Sequence, residues 1–258
     1  MADNIKVATD QRGVCTITLN RPQVHNAFNP DTIEDLSIQL QFAADDDNVR
    51  CVVLTGEGKT FSSGADINWM QAMIKYDHAK NSMDAMNLAK LLHKLYTLPK
   101  PTVALVNGSA YGGALGLIAC CDIAIAVQAA EFAFTEVKLG IIPAVVSPYV
   151  VSAIGHRQAK RLFLTGEKFS ANGALQLGLL HRAVGADDLH DALEYELDLL
   201  LKAGPSAQQE CKRLIQKLAG ISDDVSEYTA ELIAQIRISE EGQEGLLAFL
   251  EKRKPGWL

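Results

Sequence analysis

Two glycine-containing turns, Ser62–Asp66 and Ala110–Ala114, each follow a short apolar stretch that is typical of a buried strand. Glycine lets a bound carbonyl approach the main chain closely, and a turn that leads into a helix presents N–H groups at the positive end of the helix dipole. Glu136 follows in another apolar stretch, where partial burial would raise the pKa of its carboxyl group toward that of a general acid or base. Two N–H donors beside one carboxylate predict a site that stabilises an enolate oxygen.

Each of these features also has a structural alternative. A single glycine turn is most often an ordinary tight turn between packed elements. From the local sequence alone, Glu136 fits equally well as the surface partner of Lys138 or as a carboxylate at a helix start. Asp66 most simply braces its turn or caps the following helix, so we give it a supporting role only.

The elements expected around the turns alternate between strands and helices. The helix between the first two strands begins well, because Asn29 suits the N-cap and Pro30 suits the first turn. Expected strands cover residues 14–19, 51–55, 102–106 and 123–127. Expected helices cover residues 30–44, 81–95, 112–121, 187–202, 205–218, 223–238 and 240–251. This alternation predicts an α/β core domain over residues 1–200 and a helical C-terminal region over residues 201–258.

Composition narrows the class of protein. The 258 residues carry a net charge of −7, which argues against a general nucleic-acid surface. Five cysteines, an odd number lying mostly in apolar runs, favour reduced thiols and a cytoplasmic location. No apolar run is long enough to span a membrane, and the histidines are scattered without a zinc pattern. We therefore expect neither a membrane partner nor a metal.

Five segments, in order along nearly the whole chain, resemble the enoyl-CoA hydratase/isomerase (crotonase) family. They are Asn20-Arg21-Pro22 with Asn26-Ala27, and then residues 61–66, 107–122, 136–143 and 249–255. The resemblance implies an α/β fold in which ββα units spiral into two roughly perpendicular sheets. It also implies a helical C-terminal region that assembles homotrimers, often paired into homohexamers, and an acyl-CoA substrate that needs no cofactor beyond its own CoA.

The resemblance also implies roles for particular residues. By position, the N–H groups of Ala65 and Gly113 would form an oxyanion hole for the thioester oxygen, and Glu136 would be the catalytic acid and base. The main chain from Ala65 to Ile67 would line the CoA channel. Further contacts to the substrate or to CoA are expected from Ser63, Gly64, Asp66, Ile67 and Gly112.

Gly116 departs from the pattern of family hydratases that use two glutamates, because the first glutamate would stand at this position. A single carboxylate suffices to move a proton from C2 to C4, so a Δ3,Δ2-enoyl-CoA isomerase is the main alternative to a hydratase. Hydration by one glutamate is also chemically consistent if that glutamate activates water and later returns the proton to C2.

Residues 61–70, 110–126 and 136–151 look similar to the branch that hydrates 3-methylglutaconyl-CoA or related branched, carboxylated enoyl-CoAs. In this branch reading Ser147 and Tyr149 are candidate polar contacts, with packing as the alternative for either. No cation is singled out to hold a substrate carboxylate. The leading prediction is hydration of an enoyl-CoA, isomerisation is second, and an inactive binding scaffold is third. The acidic charge and the intact Glu136 count against the scaffold.

Overall fold

The computed structural model describes residues 4–221 and 223–258 as an α/β fold with two mixed sheets. Its strands are β1 (Ile5–Thr9), β2 (Val14–Leu19), β3 (Cys51–Gly56), β4 (Thr60–Ser62), β5 (Thr102–Val106), β6 (Ser109–Tyr111), β7 (Ile123–Val127), β8 (Glu131–Ala133), β9 (Phe169–Ser170) and β10 (Arg182–Val184). Its α-helices are α1 (Pro30–Asp45), α2 (Ile67–Met73), α3 (His78–Tyr96), α4 (Ala114–Cys120), α5 (Ser147–Thr165), α6 (Ala171–Leu177), α7 (Leu189–Lys202), α8 (Pro205–Ala219), α9 (Asp223–Ile238) and α10 (Glu240–Leu250). Short 3₁₀ helices cover Pro22–Val24 and Glu136–Leu139.

The larger sheet has six strands in the order β1-β2-β3-β5-β7-β10. Only the β1–β2 pair is antiparallel, and the remaining neighbours are parallel. Its central strands are apolar and almost wholly buried, as expected for a parallel sheet covered on both faces. The predicted unit of strand, helix and strand is confirmed, since β2 and β3 pair in parallel and α1 connects them.

The smaller sheet has four short strands in the order β4-β6-β8-β9, and β4, β6 and β8 run parallel. Each of these three strands follows a strand of the larger sheet and precedes a helical segment, which makes three successive ββα units. The carboxyl ends of neighbouring parallel strands lie at one edge of a sheet. The chain segments that leave β4, β6 and β8 therefore start from the same edge, and these segments hold the two glycine turns and Glu136.

Side chains on alternate faces of the larger sheet fill two hydrophobic clusters. The larger cluster packs against α1, α3, α4 and α5. The smaller cluster joins Val53, Val103 and Ile125 to Leu193 and Leu197 of α7. Since successive strand residues point to opposite faces, one run of aliphatic residues serves both clusters.

The C-terminal helices extend over the core of the same chain. Helix α9 packs along α3, and α10 packs against α2 and against the 3₁₀ helix that begins at Glu136. The approach of α10 is close, because a Cβ atom built on Gly245 would lie 2.2 Å from the carbonyl oxygen of Leu139. The C-terminal helices thus form one wall of the region around Glu136. The division of the chain at residue 200 stays a prediction.

Candidate active site

One cavity of about 990 Å³ brings all eight of the predicted site residues together. It is larger than depressions of about 460 and 540 Å³ on the α2–α3 surface and beside α1. The predicted residues in its lining are Ser63, Gly64, Ala65, Asp66, Ile67, Gly112, Gly113 and Glu136. These segments, which are far apart in the sequence, therefore line one cavity, and the roles assigned to their residues stay predictions.

The two glycine turns contact each other directly at Gly64. This residue has a φ angle of +86°, and a Cβ atom there would lie 2.8 Å from the carbonyl oxygen of Tyr111. That separation is too short for a methyl group, and the left-handed φ is itself unfavourable for residues other than glycine. Gly64 therefore allows the first turn to lie against the second.

The first turn leaves the N–H group of Ala65 available. Phe28 brackets this residue by donating to the carbonyl of Gly64 over 2.8 Å and accepting from the N–H of Asp66 over 2.9 Å. These two hydrogen bonds hold the backbone on both sides of Ala65. Within the described chain, no acceptor receives the Ala65 N–H itself.

The N–H group of Gly113 is available in the second turn. Gly112 donates to the carbonyl of Ala133 over 2.9 Å, and Leu115 donates to the carbonyl of Gly112 over 3.0 Å. Gly113 lies between these anchored residues at the N-cap of α4, and across residues 4–221 and 223–258 its N–H meets no acceptor. Two main-chain donors without acceptors in one cavity are what a developing oxyanion requires.

Asp66 supports the first turn, as predicted. It is the N-cap of α2, and its carboxylate accepts a hydrogen bond from the N–H of Asn68 over 2.9 Å. Its other carboxylate oxygen pairs with Arg21 over 2.8 Å, and both side chains are largely buried. With both oxygens engaged, Asp66 serves as a brace for the turn.

Glu136 begins the 3₁₀ helix and turns its carboxyl group into the cavity beside the second turn. Its Oε1 atom would lie 3.3 Å from a Cβ atom built on Gly112. Its Oε2 atom is buried and has no hydrogen-bond partner in the described chain. The alternative of a surface pair with Lys138 is wrong, because the ion pairs of the described residues include none for Glu136. The other alternative placed Glu136 at the start of a helix, and this placement is correct because Glu136 is the first residue of the 3₁₀ helix.

Burial raises the pKa of Glu136 to about 7, with a small opposing effect from its own N–H group. A carboxyl group with this pKa can exist in both protonation states near neutral pH. It can therefore accept a proton and return it within one reaction cycle. The desolvated carboxyl group and the two free N–H donors together can form and stabilise an enolate.

The raised pKa also predicts a stability effect. Between pH 4.5 and pH 7 the unfolded chain ionises Glu136 while the folded chain keeps the proton, so Glu136 destabilises the fold increasingly as pH rises. The Glu136→Gln variant lacks this titration. We expect the free energy of unfolding of this variant, relative to wild type, to increase by about 3 kcal/mol between pH 4.5 and pH 8. Urea unfolding at the two pH values measures this difference, and a constant difference would contradict burial of the carboxyl group.

Gly116 is packed too closely for a second catalytic carboxylate. A Cβ atom at this position would lie 2.5 Å from Cγ1 of Val146 and 3.3 Å from Cδ1 of Leu92. Val146 is buried and precedes α5, so the space that a glutamate side chain would need is filled by core packing. Glu136 is thus the one acidic residue of the described cavity lining with an unengaged carboxylate oxygen, since both oxygens of Asp66 have partners.

Two other candidate contacts are not in the lining of the cavity. Ser147 donates its hydroxyl to the carbonyl of Ala144 over 2.7 Å, which fixes the start of α5. Tyr149 is 2% exposed, and its ring lies 5.2 Å from the ring of Tyr96. The packing alternative is therefore correct for both residues.

The cavity also has lining residues that the sequence prediction missed. They come from α2, α9 and α10 and include Met70, Met73, Arg237, Leu246 and Phe249. Apolar residues on amphipathic helices carry no local sign of facing a cavity rather than the core. A charged residue such as Arg237 would ordinarily be placed on the solvent side of its helix.

The described residues also limit other kinds of site. No group of three or more His, Cys, Asp or Glu side chains within them is placed to hold a metal ion. No helix in the described ranges has the length and apolar character needed to cross a bilayer. All five cysteines are free, and four of them are buried.

Comparisons with known proteins show what the whole chain is similar to. A family model described as enoyl-CoA hydratase/isomerase matches residues 9–258. A short-chain-enoyl-CoA hydratase from Clostridium acetobutylicum is 32% identical over 246 residues, which cover 93% of this chain and 92% of the relative. The crystal structure of an enoyl-CoA hydratase from Shewanella pealeana is 44% identical, with a TM-score of 0.82 and coverage of 99% and 96%. That of an enoyl-CoA hydratase from Mycobacterium avium is 32% identical, with a TM-score of 0.88 and full coverage of both chains.

Proposed function

Since this chain belongs to the enoyl-CoA hydratase/isomerase family, we propose that it is a hydratase that adds water across the 2,3 double bond of an acyl-CoA thioester. The observation that carries the proposal is that one cavity holds two free main-chain donors and the carboxyl group of Glu136, whose buried Oε2 atom has no hydrogen-bond partner in the described chain. The relatives named as enoyl-CoA hydratases support hydration over other reactions of the family.

In the proposed reaction, the N–H groups of Ala65 and Gly113 donate to the thioester oxygen. Ionised Glu136 takes a proton from water while the water oxygen bonds to C3, and the electrons of the double bond move onto the thioester oxygen. The donors stabilise the enolate more than the neutral thioester, which lowers the barrier. Protonated Glu136 then delivers its proton to C2, so that one water is added and the carboxylate is restored.

A Δ3,Δ2-enoyl-CoA isomerase is the second candidate, and the packing of Val146 over Gly116 specifically favours it. Isomerisation needs a single group that removes a proton from C2 and returns it to C4. Glu136 meets this requirement without a second acid. Hydration with the same single group requires that Glu136 handle both proton transfers in sequence.

The substrate we propose is a short acyl chain that is branched or carboxylated, of which 3-methylglutaconyl-CoA is the model compound. Ser63, Gly64, Asp66, Ile67 and Gly112 would contact the substrate or its CoA, since they line the same cavity as the donors. No cofactor takes part beyond the CoA that the substrate carries.

We further propose a cytoplasmic homotrimer or homohexamer. The free cysteines are consistent with a reducing compartment. Helix α8 presents Leu214, Ile215 and Leu218, each at least 60% exposed, which gives the C-terminal region an apolar surface suited to association.

Purified protein supplied with crotonyl-CoA, 3-methylglutaconyl-CoA and 3-hexenoyl-CoA separates the candidates. We expect the conjugated thioester absorbance of the first two to fall, with products heavier by one water. A gain of conjugation from 3-hexenoyl-CoA at unchanged mass, without hydration of the others, would instead establish the isomerase. Failure to convert any of the three would contradict the proposed function.

A further inference from the structure

Arg237, near the end of α9, is a buried cation that the proposed reaction does not use. Its side chain is 8% exposed and lines the same cavity as Glu136 and the glycine turns. Its Nε and Nη1 atoms are buried and have no hydrogen-bond partner in the described chain. A guanidinium group stays charged in proteins. Leaving its buried N–H donors without acceptors costs free energy, unless a ligand accepts hydrogen bonds from them.

Asp84 on α3 is the acidic group whose charge acts on Arg237. Burial lowers the pKa of Arg237, and the Asp84 carboxylate opposes that effect. The described ion pairs contain no Arg237–Asp84 contact, and Oδ2 of Asp84 instead accepts from Nε1 of Trp69 over 2.8 Å. Asp84 therefore offsets the charge of Arg237 without occupying its donors.

The other described cations in the cavity lining differ from Arg237. Arg253 is exposed and makes a two-bond pair with Glu244 and a further bond to Glu251. Lys138 has an exposed side chain at the rim. These positions suit contact with the hydrated phosphates of CoA, whereas a buried guanidinium suits a small anion that has left water.

The cavity that Arg237 lines also has apolar side chains from α2 and α10. Met70 and Met73 on α2 are buried, and Leu246 on α10 is 1% exposed. An apolar wall with one cation matches a short hydrocarbon chain that ends in a negative charge. Arginine also binds carboxylates through two parallel hydrogen bonds, which Nε and an Nη atom can supply.

We propose that Arg237 binds a carboxylate at the far end of the acyl chain, which makes the substrate class short enoyl-CoA thioesters with a terminal carboxylate. This inference deepens the proposed function and rests on it for the identity of the acyl-CoA. The carboxylate accepts hydrogen bonds from the unused donors of Arg237, and the hydrocarbon part of the acyl chain packs against the methionines of α2. A neutral acyl chain of equal size would leave those donors unmet, so it binds less well.

The test compares ligands that differ only in charge. Glutaryl-CoA and 5-methylhexanoyl-CoA, in which methyl groups replace the carboxylate oxygens, are measured by calorimetry. Glutaconyl-CoA and 5-methylhex-2-enoyl-CoA are the corresponding substrates. We expect wild type to prefer the carboxylated member of each pair by at least tenfold.

Variants distinguish the contribution of Arg237 to binding from the contributions of Asp84 and of the other cations. Arg237→Met combined with Asp84→Asn removes both charges and avoids a lone buried carboxylate. We expect this double variant to lower the ratio of the affinity for glutaryl-CoA to that for 5-methylhexanoyl-CoA about a hundredfold, so that glutaryl-CoA is no longer preferred. Arg237→Lys keeps the charge without the paired hydrogen bonds, so it should lose part of the preference. Asp84→Asn alone should increase affinity for glutaryl-CoA, because it removes a nearby negative charge. The matched control Arg253→Met should leave the preference unchanged.

Calorimetry measures ligand binding, so it tests the Arg237 site even if the enzyme catalyses a reaction other than hydration. Loss of preference in the Arg237 variants supports the carboxylate site, including when neither substrate is hydrated, in which case only the proposed reaction fails. An unchanged preference in folded Arg237→Lys and in the double variant overturns the inference while leaving hydration intact. If the Arg237 variants bind glutaryl-CoA, its neutral analogue and free CoA more weakly by the same factor, the inference is also overturned, because Arg237 would then contact a CoA phosphate.

Discussion

Replacing Glu136 by Gln should lower kcat on the preferred acyl-CoA substrate by about a thousandfold, within the 10²–10⁴ range of general acid–base catalysis. The substitution keeps the size of the side chain but removes its ability to accept a proton. Asp66, the other acidic residue in the described lining of the cavity, has both carboxylate oxygens engaged and is not free to replace Glu136. The same loss is expected whether the enzyme hydrates or isomerises, since both reactions need this group.

The pH dependence provides a second readout of the same residue. With a pKa of about 7, Glu136 must lose its proton before it can activate water. We expect kcat/KM of wild type to rise tenfold per pH unit below pH 7 and to level off above it. The Gln variant should retain only a low activity without this inflection.

Glu131→Gln is the matched control, because it makes the same change five residues earlier. Glu131 ends in solvent, where it pairs with Lys168 over 2.9 Å and does not line the cavity. Its kcat and pH profile should equal those of wild type. Full activity of Glu136→Gln would remove Glu136 from the mechanism.

Gly64→Ala has the second-largest expected effect. The new methyl group would lie 2.8 Å from the carbonyl of Tyr111, and the φ angle of +86° is unfavourable for alanine. The turns must then separate, which moves the N–H of Ala65 away from the thioester oxygen. Loss of one oxyanion donor should reduce kcat/KM by 10²–10³. The free energy of unfolding should fall by about 3 kcal/mol, from backbone strain and overpacking together.

Gly220→Ala is the control for Gly64→Ala, because it introduces backbone strain without a close contact to another segment. Gly220 ends α8 with a φ angle of +69°, and a Cβ atom there would meet nothing within 4 Å. Its substitution should cost about 1 kcal/mol of stability and leave kcat/KM unchanged. If Gly64→Ala kept full activity, contact between the turns would be irrelevant to the donors.

Much of the fold could be predicted from local patterns. The helix over 30–44 was signalled by Asn29 and Pro30, and the structure confirms the cap, with Asn29 accepting from the N–H of Thr32. Strands of five or six aliphatic residues were equally visible, because burial on both faces selects continuous apolar runs.

The shorter elements were missed for a physical reason. Strands β4, β6, β8 and β9 have two or three residues each, too few to show an alternating pattern. The last expected strand ends at residue 127, so β10, which completes the larger sheet, was missed as well. Helix α5 was also missed, and its interruption by Gly155 weakens the helical pattern.

The amino-acid sequence by itself determined the kinds of group in the site: two glycine turns able to present main-chain donors, one glutamate, and a glycine where a second glutamate would stand. Residue type carries the information about the turns, because main-chain access requires small residues locally. The significance of Gly116 comes from the resemblance to the family. Only the tertiary structure decided which donors stay free, that Val146 fills the space at Gly116, and that Arg237 faces the cavity. These properties depend on contacts between segments far apart in the chain, such as α3 with α9 and α10 with the 3₁₀ helix. Burial and unsatisfied hydrogen bonding arise only when such segments pack together.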